Sequence, residues 1–333
     1  MSKSVNQPTP ELIFQRSRLT ARDQRSFLVK LAIALALGVA GVALVVTGNT
    51  ICVISGMLLL GFLYTHMVEL QHQCLHHSAF LKVGLHRTVG VVLGLPMLVS
   101  YSHYRIRHLQ HHRFLGTDQD SEFFGFDKRK SLTLLALFGG LFDYRRLGSV
   151  AAESYHSWRG TWRYENGQVS ERIRRDSMAE YRLMSLVVVL AAAASVAGYG
   201  ALVAQVWLVP WLLVSTPLHF LVELPEHIYC EDDTTDVLRN TRSISGSRFS
   251  TWFTNGNNLH VEHHAAMTVP INRLPERHGA VKQFASYTDH SYWSFYRTVI
   301  GQVVANRSKD RRFQAAASDP DLWTPAPTGT AEP

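Results

Sequence analysis

Cysteine is scarce in this 333-residue chain: only Cys52, Cys74 and Cys230, with no C-x-x-C pair among them. That spacing suggests neither a disulfide framework nor an iron–sulfur cluster. The chain also lacks the H-E-x-x-H run of a zincin protease, an H-P-G-G stretch that would hold haem, and a G-x-G-x-x-G that would hold a dinucleotide. It therefore carries no visible electron supply of its own. No solenoid-type repeat is present. The most informative absence is that of basic residues from two stretches. All 33 Lys and Arg lie in residues 1–30, 71–182 and 225–333. None lies in 31–70 or 183–224, where the only acids are Glu69 and Glu223, both at block ends.

Those two stretches are apolar. Residues 31–46 and 51–70 are joined by Thr47-Gly48-Asn49-Thr50, and residues 183–198 and 200–224 are joined around Gly198-Tyr199-Gly200. A helix rising ~1.5 Å per residue needs about 20 residues to cross the ~30 Å hydrocarbon layer. The first block reaches that length once Phe27–Val29 are included and Lys30 snorkels to the interface. The expectation is an all-α integral membrane protein with two transmembrane hairpins. Its four spans are about 27–46, 51–70, 183–198 and 200–224, and a helical cap lies outside the membrane. By the positive-inside rule the N-terminal segment (1–30), the middle segment and the C-terminal segment face the cytoplasm. The net charge of +7 is then a topology signal plus attraction to anionic lipid, with no call for nucleic acid. No cleaved signal peptide is expected, because 30 largely polar residues precede the first apolar block. Pro210 and Pro217 should bend the last span. Two shorter apolar stretches, 88–99 and 131–142, are expected as interfacial or re-entrant helices. Phe123, Phe124 and Phe126 either help wall a substrate path or simply pack. The Pro-, Thr- and Ala-rich tail, 315–333, is expected to be disordered.

Histidine is abundant, with 17 residues, and it is clustered. HQCLHH occupies 72–77, directly after the second apolar block; if that helix continues by one turn, His72 and His76 share a face. In HLQHH, His108, His111 and His112 stand at i, i+3 and i+4, and in HVEHH, His260, His263 and His264 repeat that spacing. His227, in ELPEH, lies just past the last apolar block. Hydropathy and charge put all of these on the cytoplasmic side without reference to histidine. Same-face arrays at helix ends on one membrane face point to metal ligation rather than to surface decoration. One tetrahedral ion takes four ligands, so nine imidazoles point to two ions; imidazole suits Zn, Cu, Fe and Ni alike. His66 and His219 read as hydrogen-bonded membrane histidines, the latter also a candidate for the substrate path. His103 is a spare-ligand candidate, and His77 points about 100° away from His76.

HQCLH, HLQHH and HVEHH, interleaved with two hairpins, resemble the histidine boxes of the membrane fatty acid desaturase family. YRIRHLQHHRFLGTDQDSEFF is similar to that family's second-box neighbourhood, and NNLHVEHHAAMTVPINRLPERH to its third. ELPEH is similar to its isolated histidine. The resemblance covers about residues 30–280, within a 31–314 desaturase-like domain. The chain departs from it at Ala265, Ala266 and Met267, where relatives carry a bulky apolar residue and Pro, a change that bears on the substrate more than on the metal.

The resemblance implies a non-haem di-iron centre held by His72, His76, His108, His111, His112, His227, His260, His263 and His264. It implies O2 as co-substrate and insertion of a carbon–carbon double bond into an acyl or alkyl chain. Glu226, Glu262 and Asn258 are expected to orient the imidazoles, with Asp118 and Asp120 as further candidates. The same boxes resemble those of membrane hydroxylases and carotenoid ketolases. A small natural product, such as an amino-acid-derived enol ether precursor like dihydrorhizobitoxine, is an alternative substrate. Electrons would come from a separate ferredoxin or cytochrome b5-type donor. Arg outnumbers Lys 26 to 7, which suggests a GC-rich bacterial source, hence the inner membrane and a ferredoxin.

Overall fold

A computed structural model describes residues 10–120 and 132–317. Phe123, Phe124 and Phe126, and the tail beyond Ala317, lie outside the described residues. A short α1 (Pro10–Phe14) leads to α2 (Ala21–Val46) and α3 (Thr50–Leu75). A capping box starts α2: the Asp23 carboxylate accepts from the Thr20 backbone N–H at 2.8 Å, and the Thr20 hydroxyl accepts from the Asp23 N–H at 3.4 Å. The same carboxylate takes Asn272 and Arg273, each at 2.9 Å, which ties this helix to the chain beyond HVEHH. Asn49 caps α3 by accepting from the N–H groups of Ile51 and Cys52. Ile51, Ile54, Leu58 and Phe62 of α3 are exposed, as a lipid-facing stripe requires. From Leu63 to Leu75, by contrast, nearly every residue of α3 is buried. The helix thus outlasts its expected span by five residues, and its end lies inside the protein.

Among the described residues, three helical runs are long and apolar enough to cross a membrane: Ala21–Val46, Thr50–Leu75 and the 56-residue Glu171–Glu226. The protein is an integral membrane protein. The third run comprises α8 (Glu171–Ala194), α9 (Gly200–Val203), three π-helical stretches and α10 (Thr216–Glu223), with a closing 3₁₀ turn. It cannot be straight. Glu180 accepts from the Ser100 hydroxyl, while Trp207 donates to the Pro96 carbonyl. Four residues of chain reach at most ~14 Å, yet Glu180 and Trp207 would stand ~40 Å apart on one straight helix. The run folds back at Gly198, whose φ of 97° and ψ of −2° are open to glycine. Pro210 opens one of the π-helical stretches and Pro217 follows at the start of α10, so the proline effect on the last span is a widened helix.

The shorter apolar stretches form α4 (Gly84–Gly94), extended by a 3₁₀ turn to Met97, and α6 (Leu134–Leu141). Between them runs α5 (Tyr101–Phe114). Leu135 and Phe138 of α6 and Val92 of α4 are exposed, consistent with contact to the bilayer. The amphipathic α7 (Arg145–Arg159), which no sequence expectation covered, packs along α8 through Arg182 to the Ser157 carbonyl and Trp158 to Ser185. Four short helices follow, α11 (Val237–Asn240), α12 (Arg248–Phe253), α13 (His260–Ala265) and α14 (His278–Phe284), and then the 26-residue α15 (Tyr292–Ala317). The last of these carries helix into the segment expected to be a tail from residue 315.

The all-α expectation needs one correction. β1 (Arg242–Ile244) pairs in parallel with β2 (Tyr287–Asp289), in register Arg242↔Tyr287. The strands are three residues each, too short for an alternating pattern to announce them. Their work is local. Buried Arg242 donates to the carbonyls of Pro225 and Ile228, on either side of His227, and pairs with Asp289. Ser243 accepts from the Val261 N–H inside HVEHH. One strand thus joins the His227 segment to α13.

Candidate metal centre

Four pieces of chain supply the histidines. α3 ends at Leu75 with His76 as its C-cap, so His72 and His76 lie on one face of its last turn. α5 is capped by Ser100, whose hydroxyl accepts from the His103 N–H at 3.2 Å; two turns later it presents His108, His111 and His112. His227 follows a 3₁₀ turn, Leu224–Glu226. α13 presents His260, His263 and His264.

All nine meet, in two groups. His72, His76, His108, His112 and His263 form one, and His111, His227, His260 and His264 the other; within each, one ligand nitrogen per residue lies within 4.8 Å of the others. In the first, the His108 Nε2 lies 2.7, 2.8 and 3.0 Å from the Nε2 atoms of His72, His76 and His112. His112 and His263 are 3.0 Å apart. In the second, His227 Nε2 is 3.2 Å from both His111 and His260, and His264 is 3.0 Å from His260. The groups touch where the His112 and His264 rings stack at 4.1 Å.

Hydrogen bonding does not account for this convergence, since one Nε2 proton can serve one partner, not three. The spacing is one that could hold a metal ion. A metal–imidazole bond of ~2.1 Å puts ligand nitrogens ~3.0 Å apart at right angles and ~3.4 Å apart in a tetrahedron. Burial, reinforced by the neighbouring imidazoles, pushes His108, His112, His260, His263 and His264 well below the usual histidine range. Neutral imidazoles keep the lone pair that a metal takes.

Behind the rings stand fixed acceptors. His111 Nδ1 is 2.9 Å from the buried Asp120 carboxylate, His227 Nδ1 is 3.1 Å from the Asn240 carbonyl, and His260 Nδ1 is 3.1 Å from Asn257 Oδ1. The turn that returns Asp120 to α5 needs Gly116, at φ 79°: a Cβ there would lie 1.7 Å from the Thr234 carbonyl oxygen. Asp118, two residues from Asp120, is exposed.

Three expectations about orienting residues are redistributed. The Glu226 carboxylate stands 3.2 Å from His260 Nε2, the nitrogen that faces His227 and His264, and not behind a ring; Asn257 donates to its other oxygen at 2.8 Å. Glu262 follows His260 by two residues, about 200° around the helix. Its carboxylate therefore points away from the cage, to Ser243 and to His278 Nδ1 at 2.5 Å. Asn258 braces its own turn through Thr254 and the Ile244 carbonyl; the imidazole goes to Asn257. The remaining histidines stay outside the cage. His66 meets the Phe253 carbonyl at 2.7 Å and stacks on Trp252. His77, at φ 52°, stacks on His86. His103 is held by Tyr181 and Glu165.

Sequence reasoning passed over Glu69, three residues before His72 on α3, as a mere block end. It is buried and groups with His219 and Glu223, whose facing atoms are 3.1 Å apart. An acid inside an apolar run, one turn from a ligand, was the available signal. The Asn240 carbonyl had none, because any residue supplies a backbone oxygen.

Residues 48–296 match the family model described as fatty acid desaturase. The chain is also similar to an acyl-lipid (9-3)-desaturase of Physcomitrium patens, 24% identical over 304 residues. That match takes in 80% of this chain and 57% of the length of the Physcomitrium patens protein.

Proposed function

The chain belongs to the fatty acid desaturase family, and from that premise we propose that it is an O2-dependent desaturase with two irons, one in each histidine group. The reaction takes –CH2–CH2–, O2, two electrons and two protons to –CH=CH– and two waters. The observation that carries this reading is the sorting of nine imidazoles, six of them buried and three half-buried, into a five-membered and a four-membered group at metal-ligand spacing. Zinc is redox-inert and would waste such a site on an oxidoreductase, whereas iron, when bound, supplies the O2 chemistry that removes hydrogen from an unactivated carbon. The protein's own residues do the rest. Asp120, the Asn240 carbonyl and Asn257 fix ring orientation in the four-histidine group. The burial of α3's last turns and of α13 keeps bulk water from the cage.

Four spans follow from the reversal at Gly198: α2, α3, α8 and the α9–α10 run. With the basic segments cytoplasmic, the cage faces the cytoplasm, and a bacterial inner membrane suits the composition. Electrons come from a separate ferredoxin or cytochrome b5-type protein drawn to that basic face. Cells expressing the protein and cells expressing His263→Ala, compared by mass spectrometry of lipid and metabolite extracts, test the reading. A product two hydrogens lighter, absent with the variant, is expected. A product one oxygen heavier would make the protein a hydroxylase or ketolase instead. The lighter product on a water-soluble metabolite would move the substrate to a small natural product.

A further inference from the structure

Beside the cage the protein forms a half-open cavity of about 650 Å³. α5 lines it with Ser100, His103, Tyr104 and Arg107, one helical face at i, i+3, i+4 and i+7. The next turn of that helix carries His108, His111 and His112. Val68 of α3 lines it too, one turn before His72, and His219 closes the same end. The Tyr104 ring lies edge-on to the His108 ring at 5.7 Å. The cavity therefore abuts the cage, which is where a substrate has to lie.

Its walls are mixed: Val68, Met97, Leu98, Val150 and Phe220 would suit a hydrocarbon, but charged side chains stand among them. Three guanidiniums, Arg107, Arg145 and Arg146, and three carboxylates, Asp143, Glu153 and Glu165, face the space. Part of this charge is paired within the protein: Arg145 with Asp143 at 2.9 Å, and Glu165 with His103 at 3.1 Å. Part is held in reserve. Arg146 spends a donor on the Met97 carbonyl at 2.8 Å and has five in all. Burial disfavours its charge, while nearby Glu223 favours it. The Arg107 Nε is buried without a hydrogen bond among the described residues, the Glu165 carboxylate standing off at 3.8 Å. Methylene groups laid along such a wall would strip water from charges and give nothing back.

We propose that this cavity receives a zwitterionic group of the substrate, with Arg107 and Arg146 taking its carboxylate or phosphate and Glu153 and Glu165 its ammonium. Amino acids and zwitterionic lipids share this chemistry. The proposal rests on the desaturase reading for the reaction, but the binding it describes does not depend on turnover. Because Tyr104 and Val68 stand one helical turn from ligands, the carbons that react lie near the charged group and not far down a chain.

The test uses the full-length, iron-loaded protein in non-ionic detergent and four probes of one chain length. These are decanol, decanoate, 2-aminodecanoate and decylphosphocholine, titrated calorimetrically. Both zwitterions should bind roughly tenfold or more tightly than decanol and decanoate, as expected of a charged hydrogen bond made in a partly buried site. Arg146→Gln should remove that preference at unchanged iron content, and Arg146→Lys should retain much of it. From the other wall, Glu153→Gln should weaken 2-aminodecanoate and leave decanoate alone. Tighter binding of 2-aminodecanoate points to an amino-acid head and of decylphosphocholine to a lipid head; either supports the proposal. Decanol or decanoate binding as tightly as the zwitterions would overturn it, as would an unaltered preference in both variants. A preference without any O2-dependent product would keep the cavity and sink the desaturase; dehydrogenation of a chain with a neutral head would do the reverse.

Discussion

His72, His76, His108 and His112 stand on helices of 26 and 14 residues, or at the cap of one. His227 ends a three-residue 3₁₀ turn, and His260 and His264 sit on a helix of six. The five-histidine group thus draws on long elements for all but His263, and the four-histidine group on short ones for all but His111. Their hydrogen bonding differs in the complementary sense. In the four-histidine group, Asp120, the Asn240 carbonyl and Asn257 meet the rear nitrogens of three of the rings. The rear Nδ1 of His72 in the five-histidine group and that of His264 in the four-histidine group have no such partner among the described residues. His227 and His260, on a turn and on a helix of six, borrow rigidity from hydrogen bonds to groups already fixed, and His111 has such a bond although it stands on α5.

The largest expected difference between the groups comes from removing one ligand from each. His76→Ala leaves four imidazoles in its group, enough for a complete tetrahedral set; His227→Ala leaves three. Both variants should lose desaturation. Purified His227→Ala should retain only about half of the bound iron, since one of two sites falls below a full ligand set, while His76→Ala should keep clearly more. Elemental analysis of protein purified without added metal measures this directly. Equal iron loss in the two variants would mean that the groups are not separate sites of unequal ligand reserve.

A smaller effect probes the hydrogen bonds behind the rings. Asp120→Asn keeps the shape and replaces a buried anion by an amide. Loss of such a partner typically costs 10–100-fold in metal affinity, so competition with a graded series of chelators should show about that change for one iron of the two. The iron in the five-histidine group should be extracted as in the parent protein. If both irons weaken together, Asp120 holds the fold of the cap and not one ring.

The parts of this arrangement legible in the sequence are those written as repeated spacing. H-x-x-H-H fixes a helical face wherever a helix forms, and freedom from Lys and Arg over residues 31–70 and 183–224 marks apolar runs irrespective of tertiary detail. Even the turn at Gly198 is announced by its glycine. The contacts between distant segments were not legible. β1 and β2 are too short for a period, yet they fasten the His227 segment beside α13. Asn257 and Asn258 are chemically identical neighbours, and only the path of the turn decides that Asn257 faces His260. Glu226 looked like a residue behind a ring because it adjoins His227, but the 3₁₀ turn swings it round to His260.

Glu262 gives the finest test, because it was read as an orienting acid and sits where Asp120 might be thought to have a twin. Its carboxylate accepts from Ser243, which itself accepts from the Val261 N–H, and its other oxygen meets His278 of α14. It joins α13 to β1 and α14 and reaches no ligand. Glu262→Gln keeps one acceptor oxygen and exchanges the other for a donor, which spoils one of two buried hydrogen bonds. The cost is about 1–3 kcal/mol of stability, visible as a lower denaturant midpoint in micelles. Metal affinity in the folded variant should stay within a factor of about two, against the 10–100-fold loss that accompanies removal of a ligand's hydrogen-bond partner. A Glu262→Gln protein of parental stability with one weakened iron would reverse the assignment, making Glu262 the partner of a ring and not the pin of a helix.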